Sequence, residues 1–210
     1  MGSEDLFKRK KRERTELKRT RKSRGDARDL ILIVCEGEKT EPLYFESFGL
    51  TNVHIYGAAG DPLSVVEKAI KIRKAEKKEK IYFNQTWCVF DRDNFSANRF
   101  NGALGKAHAN KIDVAYSNES FELWFLLHFE YLNVGLSRDD YGVKLSRYIG
   151  KKYEKHDHEM FSLLEKLGDQ KEAIKRADKL LSYHAYHDPY NNKPSTTVHN
   201  LVKELNKWYK

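Results

Sequence analysis

From Asp29 onward the chain alternates short apolar runs with longer amphipathic ones, and no other feature restricts its fold as strongly. LILIVC (30–35), NVHIYG (52–57), TWCVFD (86–91) and KIDVAYS (111–117) have the length and the β-branched or aromatic content of strands. Helical spacing fills the intervals at 40–48, 62–80 and 96–109, and a further helix is expected over 119–130. Strands that alternate with helices build βαβ units. The expected fold is therefore α/β, a mostly parallel sheet flanked by helices, with chemistry gathered at the carboxyl ends of the strands. The second half changes character: DDYGVKLSRYIGKKY, EMFSLLEKLG, DQKEAIKRADKLLSYHAYH and STTVHNLVKELNKWY all have helical periodicity, broken at Gly150, Gly168 and Pro189. A helical C-terminal portion packed on the sheet is the expectation.

Charge divides the chain in two. Of its 210 residues and net charge of +8, the segment KRKKRERTELKRTRKSR (8–24) holds eleven Lys/Arg and two Glu, so it carries +9 and the remainder about −1. This predicts a basic, flexible N-terminal tail over 1–28 and a nearly neutral domain over 29–210, whose size and 40% hydrophobic content suffice for a core. A polyanion would bind such a tail by releasing counterions, which makes Lys8, Arg9, Lys10, Lys11, Arg12, Lys18, Arg19, Arg21, Lys22 and Arg24 candidates for nucleic-acid contact. The plainer alternative is a solubilising leader. No apolar run approaches the ~18 residues that span a bilayer, and no signal peptide opens the chain, so the cytoplasm is expected and no membrane partner. Cys35 and Cys88 lie in strand-like runs without zinc-ligand spacing and read as buried free thiols.

The stretch ILIVCEGEKTEPLYF (31–45) brings Gly37, Lys39 and Thr40 together as a phosphate loop would, but both glycine positions of G-x-x-x-x-G-K-[ST] are otherwise filled, by Ile33 and Glu38. Glu36, Glu38 and Glu41 would also repel a phosphate. A better account places Glu36 directly after a buried strand and Glu41 with Pro42 in the first turn of a helix that Thr40 caps. Asp91 and Asp93 follow the third strand at D-x-D spacing, where an extended backbone points both to one side, a geometry suited to a hard cation such as Mg²⁺. Glu122 lies among Phe121, Leu123 and Trp124 in a helix apolar nearly all round, where an unpaired carboxylate would be costly. Glu119 is the weaker candidate.

Each acid alone has an ordinary explanation: helix-dipole pairing for Glu41, a loop for Glu36, a turn for the aspartates, and a cap shared with Ser117 and Asn118 for Glu122. Their convergence is the stronger signal, since Glu36, Glu41, Asp91, Asp93 and Glu122 would repel one another unless cations fill the centre. Two-metal sites of this kind stabilise both attacking and leaving oxygens in phosphoryl displacement. Lys193, just ahead of Ser195 as a helix N-cap, could meet phosphate oxygens together with helix N–H groups and stabilise transition-state charge. HDHE (156–159) and HAYH (184–187) lack zinc spacing and read as solvated or hydrogen-bonded histidines, and WFLLHFEYL reads as a core helix.

A strand ending in Glu-Gly, followed after helix, strand and helix by a strand ending in D-x-D, resembles the Toprim fold of topoisomerases, primases and OLD-type nucleases. More specifically, ILIVCEGEKTEPLYF, VFDRDN, AYSNESFELWFLLHF and NKPSTTVHNLVKEL resemble the RloB-like family of bacterial restriction and phage-defence operons, over about 29–206. The resemblance implies a Toprim-like, Rossmann-like domain and a nuclease using Mg²⁺ or Mn²⁺, with two metals. Glu36 would be general acid/base or ligand, Asp91 and Asp93 the metal pair, and Glu41 and Glu122 the additional acids; Lys193 matches the basic position before the last helix. Glu119 replaces the family's usual Pro after Ser-Asn. A neighbouring RloA-like ATPase is the implied gating partner, and DNA or RNA the implied polymer. Two alternatives stay open: a metal-dependent phosphotransferase or nucleotidyl transferase, and a non-catalytic nucleic-acid-binding sensor or adaptor subunit.

Overall fold

In a computed structural model, which describes residues 29–209, the first apolar run forms β1 (Ile31–Cys35), buried along its whole length. The basic tail expected over residues 1–28, with its ten assigned cations, lies outside the described residues. β1 pairs in parallel with β2 (Val53–Gly57) on one side and β3 (Gln85–Asp91) on the other, with Ile31 level with Val53 and Gln85. β4 (Asp113–Asn118) continues the parallel sheet beside β3. A fifth strand of two residues, β5 (Ser195–Thr196), closes the order β2-β1-β3-β4-β5 by pairing antiparallel to β4.

A sheet of this kind must be covered on both faces, and side chains alternate between them. Leu32, Val34, Cys88, Phe90 and Tyr116 face α2 (Pro62–Lys78) and α3 (Ala97–Ala109). Ile31, Ile33, Cys35, Trp87, Val89 and Ala115 face the larger layer, formed by α1 (Thr40–Glu46), α4 (Glu122–Leu127), α5 (Arg138–Ile149), α6 (Met160–Leu167), α7 (Gln170–Tyr183) and α8 (Val198–Leu205). This is a mostly parallel sheet flanked by helices with a C-terminal helical region, the Toprim-like α/β architecture expected. Cys35 and Cys88 are buried free thiols on opposite faces. Among the described residues no helix is long and apolar enough to cross a membrane.

α4 is the hub of the larger layer. Every residue from Leu123 to Leu127 is buried, because α4 has the sheet on one side and the C-terminal helices on the others. The Trp124 indole N–H donates to the Tyr44 hydroxyl at 2.8 Å, which ties α4 to α1 through a buried polar contact. Around it, the expected breaks are helix ends: Gly150 terminates α5 with φ 72°, and Gly168 follows α6. Local chemistry also fixes the starts, with Asp61 accepting from Ser64 N ahead of α2 and a Ser137–Asp140 capping box ahead of α5.

Three local expectations are corrected. Ser195 does not cap the last helix; it lies in β5, and Thr197 precedes α8 without a side-chain cap, its hydroxyl donating instead to Val114 O and accepting from Tyr116 N. Thr40 does not cap α1 either, since its hydroxyl donates to Lys155 O at 2.6 Å and so holds the segment between α5 and α6 against α1. Ser117 and Asn118 turn away from α4: Ser117 Oγ meets Thr196 Oγ1 at 3.1 Å, and the Asn118 amide donates to Pro189 O and Tyr190 O. Thr40, Ser117 and Asn118 thus take tertiary partners instead of local ones, whereas Ser195 is held by the pairing of β5 with β4 and by its hydroxyl on Asn192 O.

Trp124→Ala removes a fully buried indole and its bond to Tyr44, and is expected to cost roughly 3–5 kcal/mol, read as a lower urea midpoint at unchanged slope. Tyr82→Ala, at a side chain 63% exposed, should stay within about 0.5 kcal/mol of the parent.

Candidate active site

Glu36 is the first residue beyond β1, and two hydrogen bonds tie it to the neighbouring strand. Its backbone N–H donates to Val89 O at 2.8 Å, and its Oε2 accepts from the Asp91 N–H at 3.0 Å. The side chain of Glu36 is therefore fixed over the end of β3 by the same register that builds the sheet. Asp91 is the last residue of β3 and is buried; its Oδ2 accepts from the Phe121 N–H at 3.2 Å, just ahead of α4. The ends of β1 and β3 and the start of α4 are thus joined through two carboxylates.

The D-x-D pair does not meet in the extended backbone that its spacing suggested. β3 ends at Asp91, and Asp93 takes φ 40°, a left-handed conformation that aspartate tolerates better than most residues. Both carboxylates nonetheless reach one cation: Arg138 Nη2 lies 2.9 Å from Asp93 Oδ2 and 3.8 Å from Asp91 Oδ2. Asp93 Oδ1 is buried without a hydrogen-bond partner among the described residues.

Glu41, in the first turn of α1, lays its carboxylate over Gly37, where any side chain would collide with it. Glu122 opens α4; its Oε1 accepts from the Tyr153 hydroxyl at 3.1 Å and has the Lys155 ammonium 4.0 Å away. All five carboxylates line one cleft of about 470 Å³, floored by Phe121 and rimmed by Arg138, Lys155 and His156.

Burial dominates the electrostatics. It raises Glu36 to about 7, with Glu41 and Asp93 adding to the effect while the Asp91 N–H and Arg138 oppose it. Asp91 is pushed well above the usual carboxylate range by burial, then by Glu41, Glu122 and Glu36. Glu41 is raised by burial and by Glu122, with Lys155 opposing. Such mutually raised acids are an unfavourable arrangement for a structural role alone.

The donors are all carboxylate oxygens, the chemistry of a hard divalent cation, and Asp93 keeps an oxygen without a partner. Among the described residues, however, no three His, Cys, Asp or Glu side chains stand as a ready metal-binding group. Arg138, Tyr153 and two backbone N–H groups hold individual oxygens, so the acids share a cleft without converging on one point.

Lys193 is not among the residues lining the cleft. Its stem lies against Gly135, and its ammonium pairs with Glu119, whose carbonyl accepts from the Asp93 N–H at 3.3 Å. Arg138, Tyr153 and Lys155 were missed from the sequence. Arg138 alone left a signal, a cation in the first turn of α5, where the helix dipole disfavours it. His156 of HDHE lies on the cleft rim, and His184 of HAYH bonds the Pro194 carbonyl at 3.0 Å.

Comparison with known proteins supplies one family. A family model described as RloB-like protein matches residues 31–205, a span that contains every carboxylate of the cleft. No curated protein and no solved structure matches the chain.

Folded-state pKa values that lie above the unfolded ones favour the protonated form in the fold, so these acids stabilise the protein at low pH and that contribution is lost as pH rises through the folded values. Without added metal, the melting temperature is expected to fall between about pH 4.5 and about pH 7, the window set by Glu36. Calorimetry of Glu36→Gln should give a shallower fall and a higher melting temperature at pH 7.5.

Proposed function

The chain belongs to the RloB-like family, and from that membership together with the cleft we propose that it is a metal-dependent nuclease that hydrolyses DNA or RNA phosphodiesters in bacterial anti-phage defence. The observation that carries the reading is the arrival of Glu36, Glu41, Asp91, Asp93 and Glu122 in one cleft at the carboxyl end of a parallel sheet. In such sheets this is where substrates bind. Family membership supports the nuclease-like, defence-associated part of the reading, and the five acids support its dependence on metal.

Asp91, Asp93, Glu41 and Glu122 are the residues that would hold Mg²⁺ or Mn²⁺, in one or two ions. When bound, the metal supplies charge stabilisation for the phosphoryl group and lowers the pKa of an attacking water. Glu36, with one oxygen fixed by the Asp91 N–H and its side chain lining the cleft, is the carboxylate placed to take a proton from the nucleophile. Lys193, positioned by Glu119 beside the Asp93 backbone, serves the polymer outside the cleft as a cation for a flanking phosphate. The basic segment 8–24 raises the local concentration of the polymer through counterion release. An RloA-like ATPase is the partner that gates activity, in the cytoplasm.

A second reading, a nucleic-acid-binding adaptor without chemistry, draws on the acids being engaged by Arg138 and Tyr153 rather than grouped as a ready metal site among the described residues. The two readings separate in a cleavage assay with supercoiled plasmid, single-stranded DNA and total tRNA in Mg²⁺ or Mn²⁺, with and without the partner ATPase. The nuclease reading expects metal-dependent cutting that Asp91→Ala/Asp93→Ala reduces by about 100-fold or more, as when a group stabilising transition-state charge is lost. Equal nucleic-acid binding by both forms, with cutting by neither in the partner's presence, establishes the adaptor.

A further inference from the structure

Arg138 is fixed at its backbone, and its ion-paired tip is partly exposed. The Ser137–Asp140 capping box anchors the first turn of α5, while 40% of the Arg138 side chain is exposed to the cleft. Its guanidinium neutralises the D-x-D pair incompletely. It makes a contact of 2.9 Å to Asp93 and a loose one of 3.8 Å to Asp91, and Asp93 Oδ1 keeps no partner. The guanidinium thus stands between Asp91 and Asp93, in a position a divalent cation cannot share with it. Arginine also presents five donors in a fork that fits phosphate as well as carboxylate.

Building on the metal-dependent reading above, we propose that Arg138 exchanges partners. Without metal it holds Asp91 and Asp93; when a divalent cation takes those carboxylates the guanidinium is released into the cleft, where it binds a phosphate of the nucleic-acid substrate. The backbone of α5 need not move, because the exchange requires only rotation of the side chain. Arg138 is then a substrate-binding residue in the loaded protein and a counter-ion in the empty one, and metal and polymer bind cooperatively through it.

The test uses the full-length chain and two readouts independent of cleavage. Manganese binding is followed by the electron paramagnetic resonance of free Mn²⁺. Affinity for a single-stranded oligonucleotide is followed by fluorescence anisotropy in Ca²⁺ and, separately, in EDTA. Arg138→Gln should bind Mn²⁺ about tenfold more tightly than the parent, a coupling of ordinary size. Arg138→Lys keeps the charge without the fork and should fall between the two. In Ca²⁺ the Gln variant should bind the oligonucleotide several-fold more weakly than the parent, and in EDTA the two should bind equally.

Unchanged or weaker Mn²⁺ binding by both variants overturns the exchange while leaving metal dependence intact. Unchanged oligonucleotide affinity in Ca²⁺ also overturns it. No Mn²⁺ binding by the parent or either variant overturns this inference and the metal reading together. Should the Gln variant fail to fold, the Lys variant alone decides by the same criteria.

Discussion

The repulsion among buried carboxylates at one end of the sheet is the constraint on which the rest of this structure depends. Parallel strands deliver their carboxyl ends to one side, so Glu36 after β1 and Asp91 at the end of β3 must be neighbours once the register is set. α1 and α4 then add Glu41 and Glu122 to the same cleft. Burial disfavours the ionised form of Glu36, Asp91 and Glu41, and the neighbouring carboxylates make their ionisation harder still. A fold carrying that arrangement needs positive charge in the cleft, and α5 with the segment after it supplies Arg138 and Lys155.

The scaffold meets this demand by rigidity beneath the cleft. β1 and β3 are buried from both faces, α4 is enclosed by apolar neighbours, and the Trp124–Tyr44 contact fixes α4 against α1. The C-terminal helices therefore contribute to the site and not only to the core: without α5 and the turn holding Tyr153 and Lys155, Asp93 and Glu122 would lose the groups that hold them. Rigid walls with an exposed cation are the features that the proposed exchange of metal for Arg138 would use.

Much of this was legible in the sequence, because the informative signals were local. An uninterrupted ILIVC marks a strand covered on both faces, and an acid immediately after such a strand is placed by the sheet alone. The alternation of strands and helices gave the parallel order, and the glycines at 150 and 168 gave helix ends. What failed needed partners distant in sequence. β5 is two residues long, too short for any periodicity, so Ser195 read as a cap. Thr40 likewise had a good local role, but its hydroxyl bonds Lys155 O. The pairing of Lys193 with Glu119 also joins residues far apart in sequence and is not legible from the helix that follows Lys193. Arg138 and Tyr153 enter the site only because α5 and the turn after it fold back over the sheet, an arrangement that no window of sequence encodes.

The proposed replacement of Arg138 by a metal at these carboxylates has a direct crystallographic signature. Crystals grown with Mn²⁺ and measured at the manganese absorption edge test it directly. Anomalous density in direct contact with Asp91 and Asp93 is the expected result, with the Arg138 side chain withdrawn from both. A map without anomalous density at the end of β3, with Arg138 still paired to Asp93 at saturating Mn²⁺, would contradict it.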